Sequence, residues 1–221
     1  MQQARSIAMA WACWASLGMT HGQGMPAPRR TLVEIRTEAG TMVVALFNET
    51  PLHRDNFLAH VRRHDYDSLL VNRVVPGFIL EAGDPATRPV RQGRQKAMTL
   101  SSEPVPGLVH TKGALGALPL EDNPEHTEAS RFYIVLGRTY TASELEQVST
   151  RLARQGTPVA YTPVQRKRYA ELGGAPHLDG GYTVFGEVVE GLEVLDAIAK
   201  RPCGNDDRPL SDLHTFMRIL Q

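Results

Sequence analysis

Arg73 and Glu81 are the residues whose types and spacing first suggest chemistry. Between them, Val74 and Val75 read as strand and the Pro76-Gly77 pair forces a turn, because proline presets one dihedral and glycine accepts the other. Phe78, Ile79 and Leu80 then begin a second strand. A cation and a carboxylate are thereby held on neighbouring strands beside an aromatic ring, and a cation over an apolar floor suits ligand binding. The same pattern also suits a hairpin bearing an ordinary surface ion pair. His60 and His64 have the four-residue spacing of helical metal ligands, but Arg62 and Arg63 between them repel a cation and no third ligand stands at a diagnostic spacing. They read as part of a solvated basic face. Cys203 follows a proline, precedes Gly204-Asn205-Asp206 and has no histidine nearby in sequence, so it reads as a tolerated loop thiol rather than a nucleophile.

The elements that must position these groups are mostly short strands. Leu32 to Thr37 and Thr41 to Phe47 alternate around Glu38-Ala39-Gly40 as a hairpin. Thr50-Pro51 marks an N-cap and first helical turn, and Leu52, Phe57, Leu58 and Val61 form the apolar stripe of a helix ending near His64. Ala86 to Leu100 lacks hydrophobic periodicity and reads as a surface loop. Gly113 to Leu118 and Ser130 to Leu136 are further strands, separated by a polar loop from Pro119 to Ala129. Thr139 to Ala175 changes character: Thr141 with Glu144, and Thr162 with Gln165, have capping-box spacing, which predicts an inserted pair of helices. Strand pattern resumes at Tyr182 to Val189, helical spacing follows from Leu192 to Ala199, and His214 to Leu220 is a closing strand. Many short strands with few helices favour a closed barrel over an open doubly wound sheet.

A length of 221 residues suits one sizeable domain with a proper core. The 24 basic and 24 acidic side chains balance, so net charge argues for neither nucleic acid nor an anionic membrane as partner. Arg5 followed by the uncharged run Ile7 to Met19, too short to span a bilayer, and then Gly22-Gln23-Gly24, reads as a cleaved export signal over residues 1 to 24, with a retained N-terminal anchor as the alternative. Residues 25 to 31 form a proline-bearing lead-in. Loss of the signal removes Cys13 and leaves Cys203 alone, so the mature chain has no intramolecular disulfide to stabilise it.

Six separated pieces then fall into one order: ETPLHRDNF, NRVVPGFILEAGDP, the glutamate of SSEP, KGALGAL, SRFYIVLG and HLDGGYTVFGEVVEGLEVLD. In this order the chain resembles a cyclophilin-type peptidyl-prolyl isomerase from Leu32 to Leu220, and its helical insert resembles a branch of exported bacterial cyclophilins. The resemblance implies a closed eight-stranded antiparallel β-barrel capped by two helices, with the inserted helical pair at about 139 to 175. It implies a shallow groove for extended Xaa-Pro segments, proline-containing polypeptides as partners, no metal or organic cofactor, a monomer, and a periplasmic role in folding exported proteins.

By the same resemblance Arg73 is the catalytic arginine and Phe78 the floor of the proline pocket, with Ile79, Tyr133 and Leu178 as apolar walls. Leu118 and Pro119 replace an alanine-asparagine pair of the groove, and proline brings no backbone donor. Asn72, Glu81 and Arg131 stand where the family often has histidine, glutamine and glutamine. Facing the groove together, Glu81 could be shared between Arg73 and Arg131, holding Arg73 by charge while weakening the field it offers a substrate. Isomerase activity below that of a typical member is the expectation, with a proline-peptide binding module as the alternative. His177 and Tyr182 form the far rim, where tryptophan and histidine are common, so cyclosporin-like ligands are expected to bind poorly.

Overall fold

The computed structural model describes residues 29–88 and 98–220. The export signal with Cys13, most of the lead-in and the middle of the Ala86–Leu100 loop lie outside the described residues.

The first hairpin pairs β1 (Leu32–Thr37) with β2 (Gly40–Leu46) in the register that alternation around Glu38-Ala39-Gly40 demands. Helix α1 (Pro51–Arg62) follows, burying His53, Phe57, Leu58 and Val61. The strands β3 (Leu69–Leu70), β4 (Arg73–Val75) and β5 (Ile79–Ala82) come next, then β6 (Thr99–Ser101), β7 (Ala114–Pro119) and β8 (His126–Val135). Strand β8 starts within the stretch expected to be loop, because its first residues pair with β6. The insert is α2 (Ala142–Arg154) and α3 (Pro163–Glu171), and each begins with a complete capping box, at Thr141/Glu144 and Thr162/Gln165. Strand β9 (Val184–Glu190), helix α4 (Leu192–Ala199) and strand β10 (His214–Ile219) complete the order.

All the ladders are antiparallel, and the sheet runs β3-β10-β1-β2-β9-β7-β8-β5-β4 with β6 on the outer part of β8. This is the mainly β, curled architecture expected, with two corrections: the described residues form ten strands, and among them the barrel is open rather than closed by hydrogen bonds. No ladder joins β3 to β4 among the described residues. The two ends of the sheet meet instead through the covalent chain, since only Val71 and Asn72 separate those strands. Val71 and Val74 turn to the loop before β10, donating to the carbonyls of Leu213 (2.8 Å) and Asp207 (2.8 Å). That detour spends the backbone donors a closing ladder would need.

Side-chain alternation divides the sheet into two apolar clusters. Val74, Leu80, Ala82, Leu115, Ala117, Phe132 and Ile134 point into the barrel and pack with α1 and α4. Their neighbours in sequence, Ile79, Ala114, Tyr133 and Val135, point outward and gather Phe78, Leu118 and Leu178 into a second cluster on the outer face. The first cluster holds the fold together, and the second forms the floor of a site.

The N-terminus of α1 departs from expectation. Thr50 precedes the helix, but its hydroxyl caps nothing and is buried without a partner. Glu103, from a distant loop, takes the orphan donors instead: its carboxylate accepts from the Leu52 and His53 N–H groups at 3.2 and 3.0 Å, and Nδ1 of His53 lies 2.6 Å away. An ionised acceptor bonds such donors more strongly than a hydroxyl and complements the helix dipole.

Candidate active site

Arg73 and Glu81 face each other directly across the β4–β5 hairpin. NH1 of Arg73 donates to Glu81 Oε1 at 2.8 Å. The second oxygen of Glu81 accepts from Arg131 NH2 at 3.2 Å, so the carboxylate is shared between the two arginines as the sequence suggested. The chain of charge is longer than expected at both ends. Asp207 accepts from Arg73 Nε at 3.3 Å, and Glu128 accepts from Arg131 NH1 at 3.0 Å. Glu81 is 6% exposed, Arg73 is 40% exposed and Asp207 46% exposed, so the network runs from a buried carboxylate to an open edge. The Glu81 hydrogen bond, with Asp207 adding to it, holds the Arg73 guanidinium more firmly in its charged form. Burial pushes the Glu128 carboxyl up despite its arginine.

Beside the arginines lies the outer apolar cluster. Tyr133 is buried and crosses from Glu81 on β5 to Gly116 on β7. Any side chain at Gly116 would collide with the ring, a Cβ there lying 2.1 Å from Tyr133 Cζ, so glycine is what lets the ring lie against β7. Ile79 is buried next to it, Leu118 and Leu178 pack against the cluster, and Phe78 lies half-buried at its edge. His177 sits exposed over this edge, its ring 5.3 Å from that of Phe78. Partial desolvation of its ring at this edge keeps the His177 imidazole below its ordinary pKa. Tyr182 is half-buried, its ring edge-on to His110 at 6.5 Å. Pro119 ends β7 at a bulge opposite Thr127, half-buried. The side chain of Asn72 leaves a buried Oδ1 without a partner, while its backbone N–H donates to the Glu81 carbonyl at 3.0 Å.

The family model for the cyclophilin-type peptidyl-prolyl cis-trans isomerases matches residues 32–217. The chain belongs to this family. A Staphylococcus saprophyticus protein described as a candidate peptidyl-prolyl cis-trans isomerase is 32% identical over 182 residues, covering 81% of this chain and 86% of its own. A candidate bifunctional phosphatase/peptidyl-prolyl cis-trans isomerase of Streptococcus pyogenes is 33% identical over 184 residues, but this chain spans only 37% of that longer protein. A Cryptosporidium parvum cyclophilin-type isomerase, solved in the presence of the dipeptide Ala-Pro, shares the fold with a TM-score of 0.62 at 20% identity, covering 86% of this chain and 99% of its own.

Among cyclophilin features, the sequence placed Arg73, Phe78, Ile79, Glu81, Leu118, Arg131, Tyr133, His177 and Leu178 in one neighbourhood, and all of them stand at this outer face or its ionic edge. It missed Asp207 and Glu128. Glu128 carries a faint signal, three residues before Arg131 on one strand. Asp207 carries none, being 134 residues from Arg73 in an unpatterned turn.

His60 and His64 hold no metal-like arrangement: their Nδ1 atoms lie 2.9 Å from Asp65 and 2.9 Å from Asp67, respectively. Among the described residues no group of three His, Cys, Asp or Glu side chains could bind a metal ion. Burial raises the pKa of the Cys203 thiol, the opposite of what activates a nucleophile.

Proposed function

We propose that Arg73 is the catalytic group of this isomerase and that an extended Xaa-Pro segment lies along the outer face of β5, β7 and β8. One observation supports this reading above others. Arg73 commits Nε to Asp207 and NH1 to Glu81, and its NH2 group has no protein partner among the described residues, at the border of an apolar floor. Phe78, Ile79, Leu118, Tyr133 and Leu178 would receive the proline ring, and Glu81, Pro119, Arg131, His177 and Tyr182 would border the peptide on either side.

The chemistry asked of such a site is rotation about an amide with a barrier of about 18–20 kcal/mol. As the amide twists, resonance is lost and the proline nitrogen regains its lone pair. A fixed N–H donor aimed at that nitrogen is favourable only in the twisted state, which is what accelerates the step. No bond forms or breaks, and the residues do the work by position alone. Removing a donor of this type costs roughly a hundredfold in rate. Arg73→Ala, assayed beside the unchanged protein on a Xaa-Pro peptide, should show that loss, and equal rates would remove Arg73 from the mechanism.

A second reading, a proline-peptide binder of low turnover, is favoured by the carboxylates on Arg73. Glu81 and Asp207 both bond the cation that would polarise the substrate, and their charge opposes its field. Peptide titration followed by chemical shifts at Phe78, beside the rate assay, separates a binder from an enzyme. We further infer export to the periplasm and a monomeric state, with proline-containing segments of exported proteins as substrates. The basic and then apolar leader ending at Gly22-Gln23-Gly24 supports export. N-terminal sequencing of protein recovered from a periplasmic extract checks it, and an intact Met1 there would refute cleavage.

A further inference from the structure

The helical insert is joined to the floor of the groove by a buried polar network that the isomerase reading leaves without a role. Its centre is Asp179, one residue after Leu178 and 1% exposed. Oδ1 accepts from the backbone N–H of His110 at 2.7 Å and lies 2.7 Å from Nδ1 of the same residue. Oδ2 accepts from the hydroxyls of Tyr161 at 2.8 Å and Tyr169 at 2.6 Å, both in the insert. On the far side of the His110 ring, Nε2 stands 2.9 Å from the Tyr133 hydroxyl. His110 is fully buried, so each ring nitrogen has one protein partner and no solvent.

The bonding sense follows from the ends. The carboxylate can only accept, which places a proton on Nδ1 and leaves Nε2 to pair with the Tyr133 hydroxyl, as acceptor when the ring is neutral and as donor when it is charged; either sense ties the phenol to the ring. The Tyr133 hydroxyl is thus tied to His110 while its ring stays against Gly116. The insert is built for the contact. Its small core of Leu145, Tyr161 and Tyr169 packs on Val109, the neighbour of His110. At its return to the sheet, Gly174 lets the Tyr169 ring and the His110 carbonyl approach within 2.4 and 2.3 Å of where a Cβ would sit.

We propose that Asp179 and His110 are positioning residues that make proline binding depend on the helical insert: Tyr161 and Tyr169 hold Asp179, Asp179 holds His110, and His110 holds the Tyr133 ring in the groove floor. This rests on the outer face being the substrate groove. Each link has a stake in the next, because a buried carboxylate or imidazole that loses its partner must admit water, take a proton or move. Without the two phenols, Oδ2 of Asp179 loses both of its donors, and the loosened His110 no longer fixes Tyr133.

The test compares the full protein with Tyr161→Phe/Tyr169→Phe, which removes two hydroxyl groups and keeps both rings. Dissociation constants for an Ala-Pro tetrapeptide are read by chemical-shift titration, and KM and kcat by isomerisation assay, below the unfolding midpoint of every variant. The double variant should weaken peptide binding and raise KM by about fivefold, the factor one lost buried hydrogen bond carries, with kcat changed less than KM. In a Tyr133→Phe background, where the last link is already cut, the same two exchanges should leave the dissociation constant unaltered. Tyr161→Phe alone gives a milder variant if the double one does not fold, with a smaller shift in the same direction. Unchanged peptide binding in the folded variant overturns the proposal. So does an equal loss in the Tyr133→Phe background, which would mean general loosening rather than transmission through the hydroxyl. Because binding is read apart from turnover, a protein that binds but does not turn over would refute catalysis by Arg73 and leave this test readable. A protein that binds no proline peptide would overturn both.

Discussion

Asp207→Asn is the cleanest probe of how the ionic network sets the strength of the site. The exchange is isosteric, and the residue sits at φ 61°, a left-handed conformation that asparagine tolerates as well as aspartate. Its backbone is held independently, with its N–H on the Gly204 carbonyl at 3.1 Å and its own carbonyl on the Val74 N–H at 2.8 Å. The amide oxygen can still accept from Arg73 Nε, so what changes is the charge. A carboxylate bonded to Nε at 3.3 Å would stand roughly 8 Å from a substrate nitrogen hydrogen-bonded to the free edge of the guanidinium, where two unit charges at the effective dielectric of a protein surface interact by about 2 kcal/mol. Only part of a charge develops on the twisting amide and Asp207 is 46% exposed, so a surface-scale effect of about 0.5 kcal/mol remains after solvent screening. Relief of that opposition should raise kcat/KM about twofold at low ionic strength. The gain should shrink toward zero in 1 M salt, where charges are screened within about 3 Å. Asp206→Asn, one residue away and not bonded to Arg73, is the control expected to show no change. A fall in kcat/KM, or a gain that ignores salt, would refute the view that Asp207 restrains Arg73.

Glu103→Gln should lower the unfolding temperature, because the carboxylate caps α1 from outside the helix. Loss of a cap costs about 1 kcal/mol, worth about 2–4 °C in a chain of this size, and an unchanged melting curve would dismiss the capping role. Stability should also fall on mild acidification. Burial holds His53 below the ordinary imidazole value of 6.5 despite Glu103, and partial desolvation does the same to the more open His177. The unfolded chain then takes up protons at pH values where the folded chain does not, so stability is fully present above about pH 6.5 and is lost as pH drops through the lowered folded values. Denaturant midpoints measured from pH 8 to pH 5 should decline in that window, and less steeply in His53→Gln. A flat profile would refute the assignment.

Much of this architecture was legible without coordinates because it is local. Alternation around a glycine turn sets the register of β1 with β2, and Pro76-Gly77 puts Arg73 and Glu81 on neighbouring strands; that they face each other directly depends on Phe78 joining the loop, so that Val75 pairs with Ile79. The capping boxes of α2 and α3 are equally short-range and formed as read. Thr50 is the instructive failure: its local pattern asked for a side-chain cap, and a carboxylate 50 positions beyond His53 supplied a stronger one. The closed barrel failed for a similar reason, since loops before β10 captured the donors that β3 and β4 would have needed to pair.

By itself the sequence determined the longer strands, the helices and the family, and it suggested the two arginines sharing Glu81 through the family's order of motifs rather than through spacing; the short β3 and β6 and the early start of β8 left no readable trace. Only the tertiary structure decided that Asp207 joins Arg73 and that Asp179 ties the insert to Tyr133. The physical reason is reach. Backbone register and capping act over a few residues and leave a periodic trace, whereas a buried carboxylate takes whichever donors the packed chain brings to it, here from positions 69 residues before it and 10 and 18 residues before it in the insert.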